Sequence, residues 1–260
     1  MTCAIFGPGL VGSFLGAAAQ APVAITRQPA TAPATRWVEL PSGRVYWQPQ
    51  LLSIAPAMPL LVTTRFHHTP WQNLPTDTLA AQNGLGQPLP VAVCFFALDQ
   101  GVDGVVRCLG IPRVVVAGQL TATWGRVFDA WRAAGIEVEV VADSTPAQWE
   151  KAILNATVGP LCLATGLSMA EVWADHDLRA LVLAATSEGE QIARRQHIRL
   201  PPGLTERATE FFTRINGHRP SVLADPGELP HVLGYLRHHA REPIPALDRI
   251  AQLVARRISP

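Results

Sequence analysis

The chain has 260 residues, 48% hydrophobic and 16% charged, enough apolar material to bury a large core in one large or two modest domains. Its 21 basic and 20 acidic side chains leave a formal charge of +1, which argues against bulk electrostatic attraction to nucleic acid or to an anionic membrane, and neither partner is expected. Four cysteines, Cys3, Cys94, Cys108 and Cys162, stand far apart with no CxxC pair. They read as ordinary buried thiols in a reducing cytoplasm, and no metal is expected.

Residues 4–19 are almost wholly apolar and end in alanines, a profile shared with secretory leaders. No Lys or Arg precedes Arg27, however, and two glycines and a proline interrupt the run early. No other run approaches the ~18 apolar residues of a membrane span. The expectation is a soluble, unprocessed, cytoplasmic protein, with a secreted form as the alternative. The run from Cys3 to Phe6 leads into Gly7-Pro8-Gly9-Leu10-Val11-Gly12, a helix-compatible stretch over 13–20, and a second apolar run over 23–26 ending at Arg27. That order is strand, Gly-rich turn, helix, strand. The Pro-rich stretch 28–59 reads as irregular loop and edge strands. Further apolar runs at 59–62, 78–81, 91–96 and 113–117 alternate with turn signals, and 127–134 before 136–141 reads as helix then strand. An α/β domain of Rossmann type is therefore expected over 1–143. Beyond it strand runs vanish. Thr145-Pro-Ala-Gln148 fits a capping box, and 177–197 and 246–258 carry apolar residues at helical spacing, so an all-α domain is expected over 144–260.

In the opening turn, Gly7, Gly9 and Gly12 allow close backbone approach to a pyrophosphate, and the following helix offers unsatisfied N–H groups and a positive dipole end. The bland alternative is a simple tight turn. At the end of the second strand stands Arg27, where an NAD enzyme usually has Asp or Glu; a guanidinium there pairs with a 2′-phosphate, so NADP is the expected cofactor, against the alternative of an ordinary surface Arg. Lys151 is the only lysine beside twenty arginines. Lys, unlike Arg, can be tuned to give up a proton near neutral pH. In Trp149-Glu-Lys-Ala-Ile-Leu-Asn155, Lys151 and Asn155 lie four apart and share one helix face. They suit a carbonyl or a carboxylate; the alternative is a solvated Lys above a buried Asn. Ser221, Asp225 and Glu228 form a third group, for which helix capping is the strong rival.

The order GPGLVG, then Gln82-Asn-Gly-Leu-Gly86, then Trp149-Glu-Lys151 with Asn155, then Ser221 and Asp225 before Glu228 and Gly234, resembles the ketopantoate reductases (2-dehydropantoate 2-reductases) from the first strand to the last helix. The resemblance implies a Rossmann domain joined to a helical domain and NADPH-dependent reduction of 2-dehydropantoate to (R)-pantoate, on the route to pantothenate. It implies that Lys151 takes the place of the catalytic lysine and Glu228 that of the essential acid. Asn83, Asn155 and Ser221 match active-site positions, Asn83 also facing the cofactor, while Gly7, Pro8, Gly9, Leu10, Val11, Gly12, Arg27 and Arg65 fall where the cofactor is held. A 2-oxo acid is the expected small-molecule partner, with a homodimer left open.

Four departures from the family pattern stand out. Gly159 occupies the place of a second Asn. The interval from Asp225 to Glu228 is short. The chain is trimmed between Arg27 and Gln82, and Arg65 replaces a Lys. Two rival readings follow: a reductase of another 2-oxo acid, or a nucleotide-binding module with degraded catalysis.

Overall fold

The structure, a computed structural model, describes residues 3–26, 36–53, 57–214 and 218–258. The chain divides into two compact units, residues 1–82 with 87–144, and residues 83–86 with 145–260.

The first unit holds β1 (Ala4–Phe6), α1 (Leu10–Ala18), β2 (Val23–Ile25), β3 (Arg36–Leu40), β4 (Gly43–Trp47), β5 (Gln50–Leu52), β6 (Leu60–Val62), β7 (Thr78–Ala80), β8 (Val93–Gln100), β9 (Val106–Ala117), α2 (Thr121–Ala133) and β10 (Glu137–Val141). Five short strands pair in the order β5-β2-β1-β6-β7, every pair parallel. The fold class is the expected one, a Rossmann-like parallel sheet in the first unit followed by a helical second unit. A second sheet forms around β9, which pairs antiparallel with β8 and parallel with β10 and β3, and β3 turns back into β4. A parallel bridge between Ala80 and Val91 joins the two sheets.

The leader-like apolar profile of 4–19 has a tertiary cause. β1 is wholly buried, and α1 is buried from Gly12 to Ala18 because it packs against strands of both sheets and against α2. A helix covered on all sides has no polar face to show. Phe14, Leu15, Phe128 and Trp131 lie in its core, and the Trp131 indole donates to the Leu15 carbonyl at 3.1 Å. β3 lies inside its sheet, between β9 and β4, rather than at an edge as the Pro-rich context led one to expect. Its Val38 and Leu40 point into the core while Trp37 and Glu39 face out, the alternation of a half-buried strand.

The second unit contains α3 (Thr145–Asn155), α4 (Val158–Thr165), α5 (Met169–Ala174), α6 (His176–Arg195), α7 (Leu204–Arg214), α8 (Leu233–His239) and α9 (Pro245–Ile258), with 3-10 turns at Ser221–Leu223 and Pro226–His231. α6 packs on α3, α7 and α9, and α4 packs on α9. The start of α9 is fixed by Glu188, whose carboxylate accepts the Ala246 and Leu247 N–H groups at 2.8 Å each. A carboxylate at a helix N-terminus satisfies orphan donors and meets the positive dipole end. Among the described residues no helix is long and apolar enough to cross a membrane.

Candidate active site

In the first unit, β1 delivers the chain to Gly7, which adopts φ +98°, a left-handed conformation that glycine takes without strain. A Cβ at Gly7 would sit 2.6 Å from Thr64 Cγ2, and one at Gly12 would collide with the Gly7 carbonyl oxygen. Both positions therefore require glycine. At Gly9, the N-cap of α1, a Cβ would meet nothing within 4 Å. Its side of the turn is open, and the first-turn N–H groups of Leu10, Val11 and Gly12 have no acceptor within the helix. A tight turn with an open face at a helix N-terminus fits a dinucleotide pyrophosphate. Pro8 contributes its carbonyl to the Ser13 hydroxyl at 3.4 Å.

The segment after β6 braces this loop, a role the sequence did not reveal. Thr63 Oγ1 donates to the Gly7 carbonyl at 2.6 Å, and the Thr63 N–H donates to the Phe6 carbonyl at 2.8 Å. Thr64 Oγ1 lies 2.9 Å from Thr69 Oγ1, and the Gln82 amide donates to Thr69 Oγ1 at 2.7 Å and to the Thr64 carbonyl. The remaining Gln82 Oε1 is buried with no hydrogen-bond partner among the described residues. Arg65 is half-buried at the head of the 3-10 turn Phe66–His68, next to this threonine cluster. Arg27 lies outside the described residues.

In the second unit, α3 carries Lys151 and Asn155, both half-buried, on one face. Asn155 Nδ2 is buried and has no hydrogen-bond partner among the described residues. A buried amide donor left unsatisfied costs about 1 to 3 kcal/mol, which a carbonyl or carboxylate ligand would recover. Just before Lys151, Glu150 is 7% exposed and forms a two-pronged pair with Arg207, Nε to Oε1 at 3.1 Å and Nη2 to Oε2 at 3.0 Å. Arg207 also donates to the carbonyls of Pro201 and Pro202. No motif announced this clamp, because its partners lie 57 residues apart.

Ser221 and Glu228 come together. The Ser221 hydroxyl donates to Glu228 Oε2 at 2.7 Å. Asp225 caps its own turn by accepting the Gly227 N–H at 3.0 Å, whereas the Asp225 N–H goes to the Ser221 carbonyl. The expected capping alternative thus applies to Asp225, and the Glu228 carboxylate is bonded to Ser221. Gly159 in α4 lies against the Ser221 turn: a Cβ there would be 3.2 Å from Val222 Cγ1 and 3.4 Å from Pro220 Cβ. Asn83 is held by its loop, which docks on the turn carrying Glu228 through the Leu85 N–H to the His231 carbonyl at 3.1 Å. Gly84 and Gly86, at φ +104° and +85°, allow this loop to approach His231 and Tyr235. The Tyr235 ring meets the edge of Trp149 at 6.1 Å, so α8 also supports α3.

A Rossmann-like unit with a glycine-rich first turn, followed by an all-helical unit bearing a Lys, Asn, Ser and Glu set, defines a class of two-domain α/β-plus-α proteins. Residues 143–257, the helical region, match the family described as Ketopantoate reductase PanE/ApbA C terminal. A 2-dehydropantoate 2-reductase of Mesorhizobium japonicum (strain LMG 29417 / CECT 9101 / MAFF 303099) is 27% identical over 131 residues, 47% of this chain and 40% of that protein. The match thus spans less than half of that relative. Among solved structures, a D-mandelate dehydrogenase complex with NADH and anilino(oxo)acetate superposes with TM-score 0.81 at 18% identity, covering 99% of this chain and 98% of that one. A 2-dehydropantoate 2-reductase from Geobacter metallireducens GS-15 does so with TM-score 0.80 at 20% identity, covering 98% and 99%.

Proposed function

We propose that the protein is a reductase of 2-oxo acids that uses a nicotinamide dinucleotide, with NADPH preferred. The observation that carries this reading is the buried, unsatisfied Asn155 amide one helical turn from the only lysine of the chain. A bound reduced nicotinamide supplies a hydride. The work of this chain's own residues is different: Lys151 stabilises negative charge developing on the ketone oxygen and donates a proton to it. Asn155 holds a carbonyl or carboxylate oxygen, and Ser221 with Glu228 orients the remainder of the substrate. In the first unit the turn of Gly7, Gly9 and Gly12 with the α1 N-terminus receives the pyrophosphate, and Arg27 and Arg65 supply positive charge for a 2′-phosphate.

The resemblance supports 2-dehydropantoate as substrate and (R)-pantoate as product. The packing of Gly159 against Val222 favours another member of the 2-oxo acid class. Steady-state reduction of a 2-oxo acid panel, with NADPH compared against NADH, tests the reading. Lys151→Ala is expected to lower kcat by about 10² to 10⁴ while leaving NADPH affinity within a few-fold. Near-normal turnover of that variant would return Lys151 to a surface role. Cofactor binding without oxidation by any member of the panel would establish a binding module instead.

A further inference from the structure

We propose that Tyr235 is a positioning residue whose aromatic ring, and not its hydroxyl, sets the Asn83 loop and the Lys151–Asn155 face of α3 together. The proposal rests on the 2-oxo acid reductase reading of Asn83, Lys151 and Asn155, and it names what keeps them in mutual register.

The loop 83–86, α3 and α8 all lie in the second unit. On the loop side, Tyr235 Cε2 stands 3.3 Å from where a Cβ on Gly86 would lie. Gly86, at φ +85°, has no side chain to hold the loop off the ring, and the neighbouring Leu85 N–H donates to the His231 carbonyl at 3.1 Å, one turn before Tyr235 in the chain. On the helix side, the Tyr235 ring meets Trp149 edge-on, with 6.1 Å between centroids. An edge-to-face pair prefers one mutual angle, so it constrains orientation as well as distance. Trp149 is buried and stands two residues before Lys151, so a rotation of α3 that moved one ring from the other would swing Lys151 and Asn155 with it.

The Tyr235 ring is itself held. His239, one helical turn on, stacks against it at 4.1 Å with 19° between the planes. The His239 Nδ1 lies 2.9 Å from the Tyr235 carbonyl, and because a carbonyl only accepts, that nitrogen carries the proton and donates. The bond fixes the imidazole plane, and the imidazole then restricts the phenol ring. Each contact that Tyr235 makes here uses its ring or its backbone carbonyl. Losing the ring therefore removes a support shared by the Asn83 loop and the Lys151 helix, whereas losing an ordinary core contact loosens one element.

The test compares Tyr235→Leu with Tyr235→Phe in the full chain. Amide hydrogen exchange at Leu85 and along 149–155 needs no substrate: it should accelerate several-fold in both segments of the Leu variant and stay native in the Phe variant. Steady-state reduction of a 2-oxo acid that the native protein turns over, measured well below each melting temperature, is the second readout. Tyr235→Leu should lower kcat and raise the KM of the oxo acid, a combined loss in kcat/KM of about tenfold to a hundredfold, the scale set by displacing a reacting group by an ångström. Tyr235→Phe should restore both constants. A merely structural ring would lower the melting temperature and leave kcat and KM of the folded protein unchanged, and that result overturns the proposal. Faster exchange in only one of the two segments overturns it too, as does a Phe variant as impaired as the Leu variant. If Tyr235→Leu does not fold, Gly86→Ala presses on the same contact from the loop side, and native kinetics in that variant overturn the proposal. Reduction of no 2-oxo acid by the native protein is a separate outcome: it removes the reductase reading, and this proposal with it, whatever the exchange shows.

Discussion

At the scale of single residues, the glycine-rich turn after β1 depends on groups that would clash or fall idle anywhere else. Gly12 tolerates no Cβ because the Gly7 carbonyl and Thr63 Oγ1 already occupy that space. Thr63 matters because its hydroxyl donates to the Gly7 carbonyl at 2.6 Å and holds the turn open toward Gly9. Thr63→Val keeps the shape and removes the donor. It is expected to destabilise the protein by about 0.5 to 1.5 kcal/mol and, on the proposed function, to weaken dinucleotide binding several-fold, while Thr63→Ser restores both. Fluorescence titration of NADPH beside chemical denaturation checks this; native-like affinity in the Val variant would show that the brace is idle. Lys151 could be singled out in the sequence because it has no rival. Thr63 could not, since a threonine after an apolar run has no meaning until β6 lies beside β1 with Phe6 opposite Val62.

At the scale of elements, the orientation of α3 is set by a contact it makes with distant chain. Glu150 is nearly buried, and Arg207 supplies both of its guanidinium prongs to it while reaching the carbonyls at Pro201 and Pro202. Removing one partner leaves an uncompensated buried charge, whereas replacing both by apolar groups of similar size is often close to neutral. Arg207→Met alone is therefore expected to cost about 2 kcal/mol, discounted because Arg207 is 33% exposed, and Glu150→Met with Arg207→Met should recover most of that loss. Urea denaturation of the two single variants and the double variant measures the coupling; additive losses would show that the pair contributes nothing as a pair. The helices themselves were legible from apolar spacing and end signals. Their mutual clamps were not, because a bidentate pair separated by 57 residues leaves no periodic trace.

At the scale of the whole molecule, the thiols report how much of each unit is withdrawn from water. Burial pushes Cys3, Cys108 and Cys162 up to about 12 from an ordinary value of 9.0, opposed at Cys3 and Cys162 by a backbone hydrogen bond. The folded protein binds these protons more tightly than the unfolded chain does. The stability this confers is complete below pH 9 and is lost as pH rises from 9 toward 12, by up to about 1.4 kcal/mol per pH unit for each thiol. Denaturation midpoints at pH 8, 9 and 10 should fall along this series, and the fall should shrink in a Cys3→Ala, Cys162→Ala variant. An unchanged slope would show that other groups drive the loss. As a companion expectation, thiol reagents at pH 8 should label these three sites slowly until the chain unfolds.

The sequence by itself determined the layout: short apolar runs split by glycine and proline turns fit strands better than helices, and the helical spacing after Asp143 has a different period. It also determined the opening turn and the rarity that marks Lys151, since both are local in the chain. Tertiary structure decided the rest, because those properties depend on what lies opposite. Only packing shows that β3 is an internal strand, that Glu228 bonds Ser221 rather than closing a capping box with Asp225, and that Asn155 keeps a buried donor unsatisfied. Gly159 is the sharpest case. In sequence it is a missing side chain, and only the approach of Val222 and Pro220 shows that the space is filled by carbon instead of left open.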